Sequence, residues 1–254
     1  MHNIGSIGID CPERGGVMVL LIRRKWAMGA AAFLLLAVSA FLLATDTPAV
    51  VQAFSYTNLP TREVVILDAG HGGADGGALS DDGTPESGVN LSIVLRLRDF
   101  FALMGQETVL TRTDEASLAD PDCATLRQQK VSDTKNRVAL INSVPNGCLI
   151  SIHQNTLPGH PNVHGAQVFY GKMAGSDARA ETVQRELNNV INADNEKATK
   201  PIGKDIYIMA HAQCPALLVE CGFLSNRTET AQLLRPEYQT KLAVAIGCGY
   251  LQYQ

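Results

Sequence analysis

The sequence predicts an α/β fold, in which a single domain has a mostly parallel central sheet with helices on both faces and follows an N-terminal membrane helix. Two observations predict this arrangement. Strand-like apolar runs alternate with segments of helical periodicity from residue 64 onward, and residues 26–44 carry no charged side chain. The composition, with 46% hydrophobic and 18% charged residues, is that of a globular protein. The net charge of -4 argues against a nucleic-acid partner.

The N-terminal part has the charge pattern of a membrane-targeting segment. Residues 23–25 are Arg-Arg-Lys and precede the apolar run, which predicts a cytoplasmic N-terminus and an extracytoplasmic remainder. The length of the run favours a retained anchor, although small residues near Ala53 also allow cleavage and secretion, and Met18 is an alternative start. The predicted divisions are a partly disordered cytoplasmic segment at 1–25, a transmembrane anchor or uncleaved signal at 26–44, a linker at 45–61 and a folded domain at 62–254.

The alternation after residue 62 predicts six strands and four helices. Strands are indicated by short apolar runs, and the first run is followed by a glycine-rich loop at 70–77. Helices are indicated by apolar residues that recur three or four positions apart. The predicted strands are 64–67, 108–110, 148–152, 166–170, 206–209 and 216–219. The predicted helices are 90–104, 126–142, 177–192 and 238–249.

Four side chains with metal-binding or acid–base chemistry flank these elements. His71 follows the first strand, His153 and Glu220 each come directly after a later strand, and Glu86 lies just before the first helix. Since reactive groups of such sheets gather at the carboxyl ends of the strands, we expect these four to converge. Two imidazoles and one carboxylate with an open fourth position are typical of catalytic zinc, which leaves one carboxylate as a general base. Alternatively, Glu86 only stabilises its helix N-terminus.

Several motifs, in order along the chain, resemble those of a known family. They are Leu67-Asp68-Ala69-Gly70-His71-Gly72-Gly73, Glu86 with Val89-Asn90-Leu91, Asn136-Arg137-Val138, Ser151-Ile152-His153-Gln154-Asn155 and Pro215-Ala216-Leu217-Leu218-Val219-Glu220-Cys221-Gly222-Phe223-Leu224-Ser225-Asn226. From about residue 64 to 250 the chain resembles the zinc-dependent N-acetylmuramoyl-L-alanine amidases. The resemblance implies that 62–254 is a zinc amidase domain, that His71, Glu86 and His153 hold Zn2+, and that Glu220 is the catalytic glutamate.

The resemblance also implies an activity and a setting. The activity is hydrolysis of the peptidoglycan amide bond between N-acetylmuramic acid and L-alanine of the stem peptide. One membrane segment followed by one catalytic domain is similar to the layout of the sporulation-specific members, which act on spore cortex and help to form muramic-δ-lactam. Peptidoglycan and the membrane are the expected partners, and the need for an activating lipoprotein is left open. A zinc carboxypeptidase and a non-catalytic peptidoglycan-binding module are the alternative functions.

Two further residues are candidates for substrate binding. The planar guanidinium of Arg137 suits paired hydrogen bonds to a substrate carboxylate, with a structural ion pair as the alternative. Asn155 either hydrogen-bonds substrate or shapes its own turn. For each of the two residues, the sequence leaves a substrate-binding role and a structural role open.

The cysteines give an ambiguous signal. No Cys-x-x-Cys motif occurs in the sequence, and free thiols in a core are the simpler expectation. Cys214 and Cys221 flank one predicted strand, so they are the first pair to test for a disulfide.

Overall fold

Six strands and six helices make up the domain in the part of the chain that the structure describes. The computed structural model describes residues 63–203 and 205–253. The strands are β1 (Val64–Ala69), β2 (Thr108–Leu110), β3 (Gly147–Asn155), β4 (Gln167–Tyr170), β5 (Lys200–Pro201) and β6 (Ala216–Phe223). The helices are α1 (Glu86–Leu103), α2 (Leu126–Ser143), α3 (Ser176–Val190), α4 (Tyr207–His211), α5 (Arg227–Leu233) and α6 (Pro236–Leu251).

The strands form one sheet in the order β2-β1-β3-β6-β4-β5. All neighbouring pairs are parallel except β4 and β6, which are antiparallel. The predicted mostly parallel sheet is therefore confirmed. Its register places Ala69 of β1 beside Ile152 of β3, and His153 of β3 beside Glu220 of β6. The carboxyl ends of the three central strands thus meet at one edge, as the site prediction requires.

Helices cover both faces of the sheet because successive strand residues point to opposite faces. In β1, Leu67 is buried in a core with Ile246 of α6, whereas its neighbour Ile66 is buried in a second core with Ile141 of α2. The first core is closed by α1, α3 and α6, and the second by α2 and α4. Side chains of β3 and β6 are divided in the same way, so the central strands are buried on both sides.

Most predicted elements are confirmed, but the strand at 206–209 is wrong. This part of the chain forms the short helix α4, and Met209 packs into the second core. Four apolar residues are too few to distinguish a strand from a buried helical turn by periodicity. The sequence also did not predict α5 or β5, which are too short to show a period. The start of α5 is marked by Asn226, whose side chain accepts hydrogen bonds from two amides of the first turn.

A disulfide between Cys214 and Cys221 is not formed. Both residues are free thiols in the structure. Cys214 lies two residues before β6 and Cys221 lies near the end of that strand, so seven residues of largely extended chain separate them by roughly 23 Å, far beyond the reach of a disulfide. The extended strand between the two cysteines therefore holds their thiols apart.

The predicted N-terminal divisions at 1–25, 26–44 and 45–61 lie outside the described residues. Within 63–203 and 205–253, no helix is both long and apolar enough to cross a membrane. The described residues belong to one compact unit. Every described strand belongs to the same sheet, in agreement with a single folded domain.

Helices α3 and α6 pack closely against each other at Gly249. A Cβ atom added there would lie 2.6 Å from the Cα atom of Val183, which cannot rotate away. We expect Gly249→Ala to lower the free energy of unfolding by about 2 kcal/mol, even though alanine favours a helix by roughly 1 kcal/mol. Urea unfolding of both proteins measures this difference.

Gly88→Ala in α1 is the matched control. A Cβ atom at Gly88 meets its nearest neighbour at 3.6 Å, which is ordinary contact. This variant should be neutral or slightly stabilising. Equal losses of stability in the two variants would contradict the close approach of α3 and α6 as the cause.

Candidate active site

His71 lies in the loop that follows β1. Its φ angle is 62°, a left-handed conformation that few side chains other than Asn, Asp and His adopt readily. Its Nδ1 atom lies 2.9 Å from Oδ2 of Asp75, and its Nε2 atom lies 2.7 Å from Oε1 of Glu86. Asp75 therefore orients the imidazole so that Nε2 is directed at Glu86. The sequence did not predict Asp75, since a loop has no periodicity that would indicate which side chain turns back.

Glu86 is the first residue of α1, and its side chain is buried. Oε1 accepts a hydrogen bond from the amide of Ala78 at 3.0 Å, and Oε2 accepts one from the amide of Gln154 at 2.8 Å. The side-chain amide of Asn90 donates to Oε2 at 3.4 Å. The helix N-terminus further favours the negative charge. The carboxylate is thus fixed between the loop after β1 and the end of β3.

His153 completes the group from β3. Its Nδ1 atom lies 3.7 Å from Oε2 of Glu86. Gly70 makes room for the ring, because a Cβ atom at that position would lie 2.3 Å from Cε1 of His153. One donor atom from each of His71, Glu86 and His153 lies within 4.8 Å of the other two. The structure therefore brings the three predicted ligands together at a distance suited to one metal ion.

Glu220 lies on β6 directly beside His153. Its Oε2 atom is buried and has no hydrogen-bond partner among the described residues. Burial raises the pKa of Glu220 to about 7, and the negative charge of Glu86 adds to this effect while His153 opposes it. A carboxyl group with this pKa can accept and donate a proton near neutral pH.

The electrostatics of the group favour positive charge beside Glu86. Burial disfavours a charged imidazole at His71, but Glu86 and Asp75 outweigh it and raise the pKa of His71 to about 9. Burial also opposes ionisation of Glu86, yet His153 and His71 lower the pKa of Glu86 far below its ordinary value. The pocket therefore attracts either protons or a cation to the same place.

Arg137 is almost completely buried, with 1% of its surface exposed. Nε donates to Asp133 at 2.8 Å, and Nη1 donates to Asp68 at 2.7 Å and to the carbonyl of Ala69 at 2.6 Å. Nη2 donates to the carbonyl of His71. Because all three guanidinium nitrogens are engaged, these contacts favour the structural ion pair over the role of binding a substrate carboxylate.

Arg112, which was not predicted as a site residue, is a second buried arginine at the same loop. Its Nη2 atom donates to the carbonyl of Gly70 at 3.2 Å and to the carbonyl of Ser87 at 2.8 Å. Its other nitrogens donate to two further backbone carbonyls. One guanidinium therefore joins the residue before His71 to the residue after Glu86. These partners are distant in sequence, so no local pattern indicates the contact.

The candidate residues share one open hollow of about 460 Å3. Asn155 lines it at the end of β3, and its Oδ1 atom accepts a hydrogen bond from the amide of Thr156. The side chain therefore shapes its turn, and its contact with substrate stays a prediction. We call this hollow the active-site cleft, and its lining includes His71, Glu86, Thr134, His153, Asn155, Tyr207 and Glu220.

Comparison with known proteins decides the family. Residues 65–250 match the family model Amidase_3, described as N-acetylmuramoyl-L-alanine amidase. The chain belongs to this amidase family. All four residues predicted to hold metal or to catalyse lie within the matched range, and the predicted enzyme class is confirmed: the chain is a peptidoglycan amidase.

Named relatives agree with this membership. The amidase is 35% identical over 191 residues to the germination-specific N-acetylmuramoyl-L-alanine amidase of Bacillus subtilis (strain 168), which covers 75% of this chain and 79% of the relative. It is also similar to the CwlD amidase of Clostridioides difficile, solved in complex with the GerS lipoprotein, with a TM-score of 0.72, 38% identity and coverage of 76% and 98% of the two chains. The amidase AmiC2 of Nostoc punctiforme has a TM-score of 0.64 and 29% identity, with coverage of 75% and 96%.

Asp68 anchors the buried network of this amidase. It accepts hydrogen bonds from the hydroxyls of Thr111 and Ser151 as well as from Arg137. Burial alone would raise the pKa of Asp68, but the charge of Arg137 and the two hydroxyls hold it below the ordinary value of 3.8. The ionised form is therefore the one that the fold stabilises.

Replacement of this carboxylate should show a characteristic pH dependence. At pH 7, Asp68→Asn removes one of the two buried carboxylates of Arg137, and we expect the free energy of unfolding to fall by about 3 kcal/mol. Because the folded pKa of Asp68 lies below its unfolded value, its contribution is full above about pH 4 and is lost as the pH falls. The difference in free energy of unfolding between the wild type and Asp68→Asn should therefore become smaller below pH 4. Urea unfolding of both proteins at several pH values from 7 to 3, with a chelator present, measures this difference.

Asp99→Asn is the control for this experiment. Asp99 is exposed, and its charge is paired only with the adjacent Arg98 among the described residues. Its replacement should change the free energy of unfolding by no more than about 0.5 kcal/mol at any pH. If the free-energy difference between the wild type and Asp68→Asn stays constant down to pH 3, the wild-type Asp68 carboxylate does not titrate as the buried ion pair requires.

Proposed function

We propose that this amidase works with a zinc ion held by His71, Glu86 and His153, and that Glu220 is its general base. The observation that carries the proposal is the place of Glu220. Its buried Oε2 atom has no hydrogen-bond partner within residues 63–203 and 205–253, and its side chain lines the same cleft as the three donor side chains. A buried carboxylate without a partner is costly unless a ligand or substrate group meets it.

The donor set fits zinc. Two imidazole nitrogens and one carboxylate oxygen are ligands of catalytic zinc sites that keep a fourth position open. The three donor atoms lie within 4.8 Å of one another. Gly77 leaves space for the Glu86 carboxylate, because a Cβ atom there would lie 2.2 Å from Oε1. The surrounding backbone is thus shaped to hold these side chains in place.

The residues of the chain perform the proton transfers of amide hydrolysis. Zinc, when bound, polarises a carbonyl oxygen and lowers the pKa of water. Glu220 accepts a proton from the attacking water and donates it to the departing amine of L-alanine. The pKa of Glu220, raised to about 7 by burial, suits transfer in both directions. Asp75 holds His71, and backbone amides hold Glu86, so neither has to reorient during the reaction.

Glu220→Gln tests the role of the general base. The amide has nearly the same shape but cannot accept a proton, so we expect kcat to fall by a factor of about 1,000 while zinc binding is retained. Metal content and the rate of release of stem peptides from purified peptidoglycan measure the two quantities. Mass spectrometry should identify a free L-alanine amino group on the released peptide.

His153→Ala is the companion variant, and it should lose both zinc and activity. Retention of wild-type activity by Glu220→Gln would remove Glu220 from the mechanism. Cleavage within the stem peptide would identify a carboxypeptidase instead. Binding of zinc and peptidoglycan by the wild type without release of any peptide would identify a non-catalytic module.

Arg112→Lys tests whether the buried guanidinium holds the ligand loops together. A lysine presents one ammonium group and cannot bridge the carbonyls of Gly70 and Ser87 in the same way. We expect zinc affinity to fall about tenfold, as is usual when the support of metal ligands is lost. Competition with a chromophoric chelator measures the affinity, and thermal unfolding of the metal-free protein reports any loss of stability.

Arg98→Lys is the same replacement at a partly exposed position in α1, away from the active-site cleft, and should leave zinc affinity unchanged. An Arg112→Lys protein that melts like the wild type and binds zinc equally well would contradict the positioning role. A protein that melts lower but binds zinc with wild-type affinity once folded would restrict Arg112 to stability.

We further propose that the amidase acts in spore cortex, where it contributes to formation of muramic-δ-lactam. The germination-specific relative supports this setting. The complex of CwlD with GerS supports a lipoprotein partner for this chain as well. Analysis of cortex muropeptides from a strain that lacks the gene tests the role, since loss of the lactam is expected.

The proposed location is extracytoplasmic, with residues 26–44 as a membrane anchor and 45–61 as a linker to the catalytic domain. The cationic residues at 23–25 and the uncharged run that follows support this orientation. Membrane fractionation with external protease treatment distinguishes an anchored protein from one secreted after cleavage near Ala53.

A further inference from the structure

A second hollow adjoins the active-site cleft. It has a volume of about 230 Å3 and is lined by Lys130, Val131, Thr134, Lys135 and Tyr207, and we call it the lysine groove. Thr134 and Tyr207 line the active-site cleft as well. The two hollows therefore lie side by side with these two lining residues in common, and a chain that extends out of the cleft past them would reach the lysine groove.

The lysine groove exposes apolar surface next to the site of the reaction. Val131 is 48% exposed and Tyr207 is 40% exposed. The Tyr207 ring is stacked on the imidazole of His211, with ring centroids 3.9 Å apart, so it is held in place as a flat wall. Exposed apolar surface that is rimmed by charge and joined to an active site is typical of a substrate subsite.

The charge of the lysine groove is positive, in contrast to the cleft. The Nζ atom of Lys130 lies 2.7 Å from Oδ1 of Asp75, so the charge of Lys130 is already paired. Lys135 is exposed, and it makes no ion pair with any described residue. No acidic side chain lines the groove in the described part of the chain, whereas Asp75, Glu86 and Glu220 line the cleft. Lys135 is thus the cation that is open to an incoming anion.

We propose that the lysine groove is a subsite for the stem peptide and that Lys135 pairs with one of the free carboxylates of that peptide. This inference rests on the proposed function, which places the scissile amide beside Glu220. An N-acetylated glycan strand whose lactyl groups are all in amide linkage carries no charge, whereas a stem peptide carries carboxylates at its acidic residue and its C-terminus. The free charge of Lys135 therefore favours the peptide over the glycan, and the apolar surface of Val131 and Tyr207 suits its aliphatic side chains.

The experiment compares two soluble disaccharide-peptides that differ only in charge. One has free carboxylates, and in the other every carboxylate is converted to a carboxamide. For the zinc-loaded enzyme we expect KM to be about threefold lower for the free acid, the effect of one exposed ion pair. Lys135→Gln should remove this preference by raising KM for the free acid alone, with kcat unchanged. Tyr207→Ala should raise KM for both substrates.

Lys241→Gln on α6 is the matched control, since it removes one exposed lysine charge away from both hollows. It should retain the preference of the wild type. A wild type that cleaves both substrates with equal KM, or a Lys135→Gln variant that keeps the preference, overturns the subsite while the proposed function stands.

Binding of the free stem peptide, measured by calorimetry on the full-length protein, separates the two proposals. If the wild type releases no peptide but binds the free acid about threefold more tightly than its amidated form, and Lys135→Gln abolishes the difference, the subsite holds and the proposed function fails. Equal binding of both peptides by the wild type overturns the subsite regardless of turnover.

Discussion

The buried ion pair between Arg137 and Asp68 is the constraint on which the rest of the structure depends. Two charges removed from water are costly unless hydrogen bonds compensate them, and here every nitrogen of the guanidinium donates at least one hydrogen bond. Two of the hydrogen bonds from Arg137 end on the carbonyls of Ala69 and His71. The buried guanidinium therefore restrains the loop that follows β1. One of the two carbonyls belongs to His71, the residue with the left-handed backbone.

Glu86 restrains the other side of the site in a similar way. Its carboxylate receives backbone amides from the loop after β1 and from the end of β3, and it also contacts both imidazoles. One side chain therefore connects the helix start to two strand ends. A carboxylate that is fixed in this way has little freedom to move when its neighbours change their charge.

The sequence predicted the parts of the site that follow from strand order. His153 and Glu220 end apolar runs, so a parallel sheet had to bring them to one edge, and the register confirms that they are neighbours. The support of the site was not predictable in this way. Arg112 finds its carbonyl partners across loops whose path no pattern of residues reveals. The same limit explains the error at 206–209, where tertiary packing and not local periodicity decided between strand and helix.

The direction of β1 has a practical consequence. The strand begins at Val64 and ends beside the cleft, and its six residues carry the chain roughly 20 Å across the sheet. The described domain therefore begins, at Glu63, at the edge of the sheet opposite the cleft. A purification tag or fluorescent reporter fused directly to this end of the domain would start on the side away from the cleft, whereas one inserted into the loops at the opposite edge would lie where a large polymeric wall fragment has to approach.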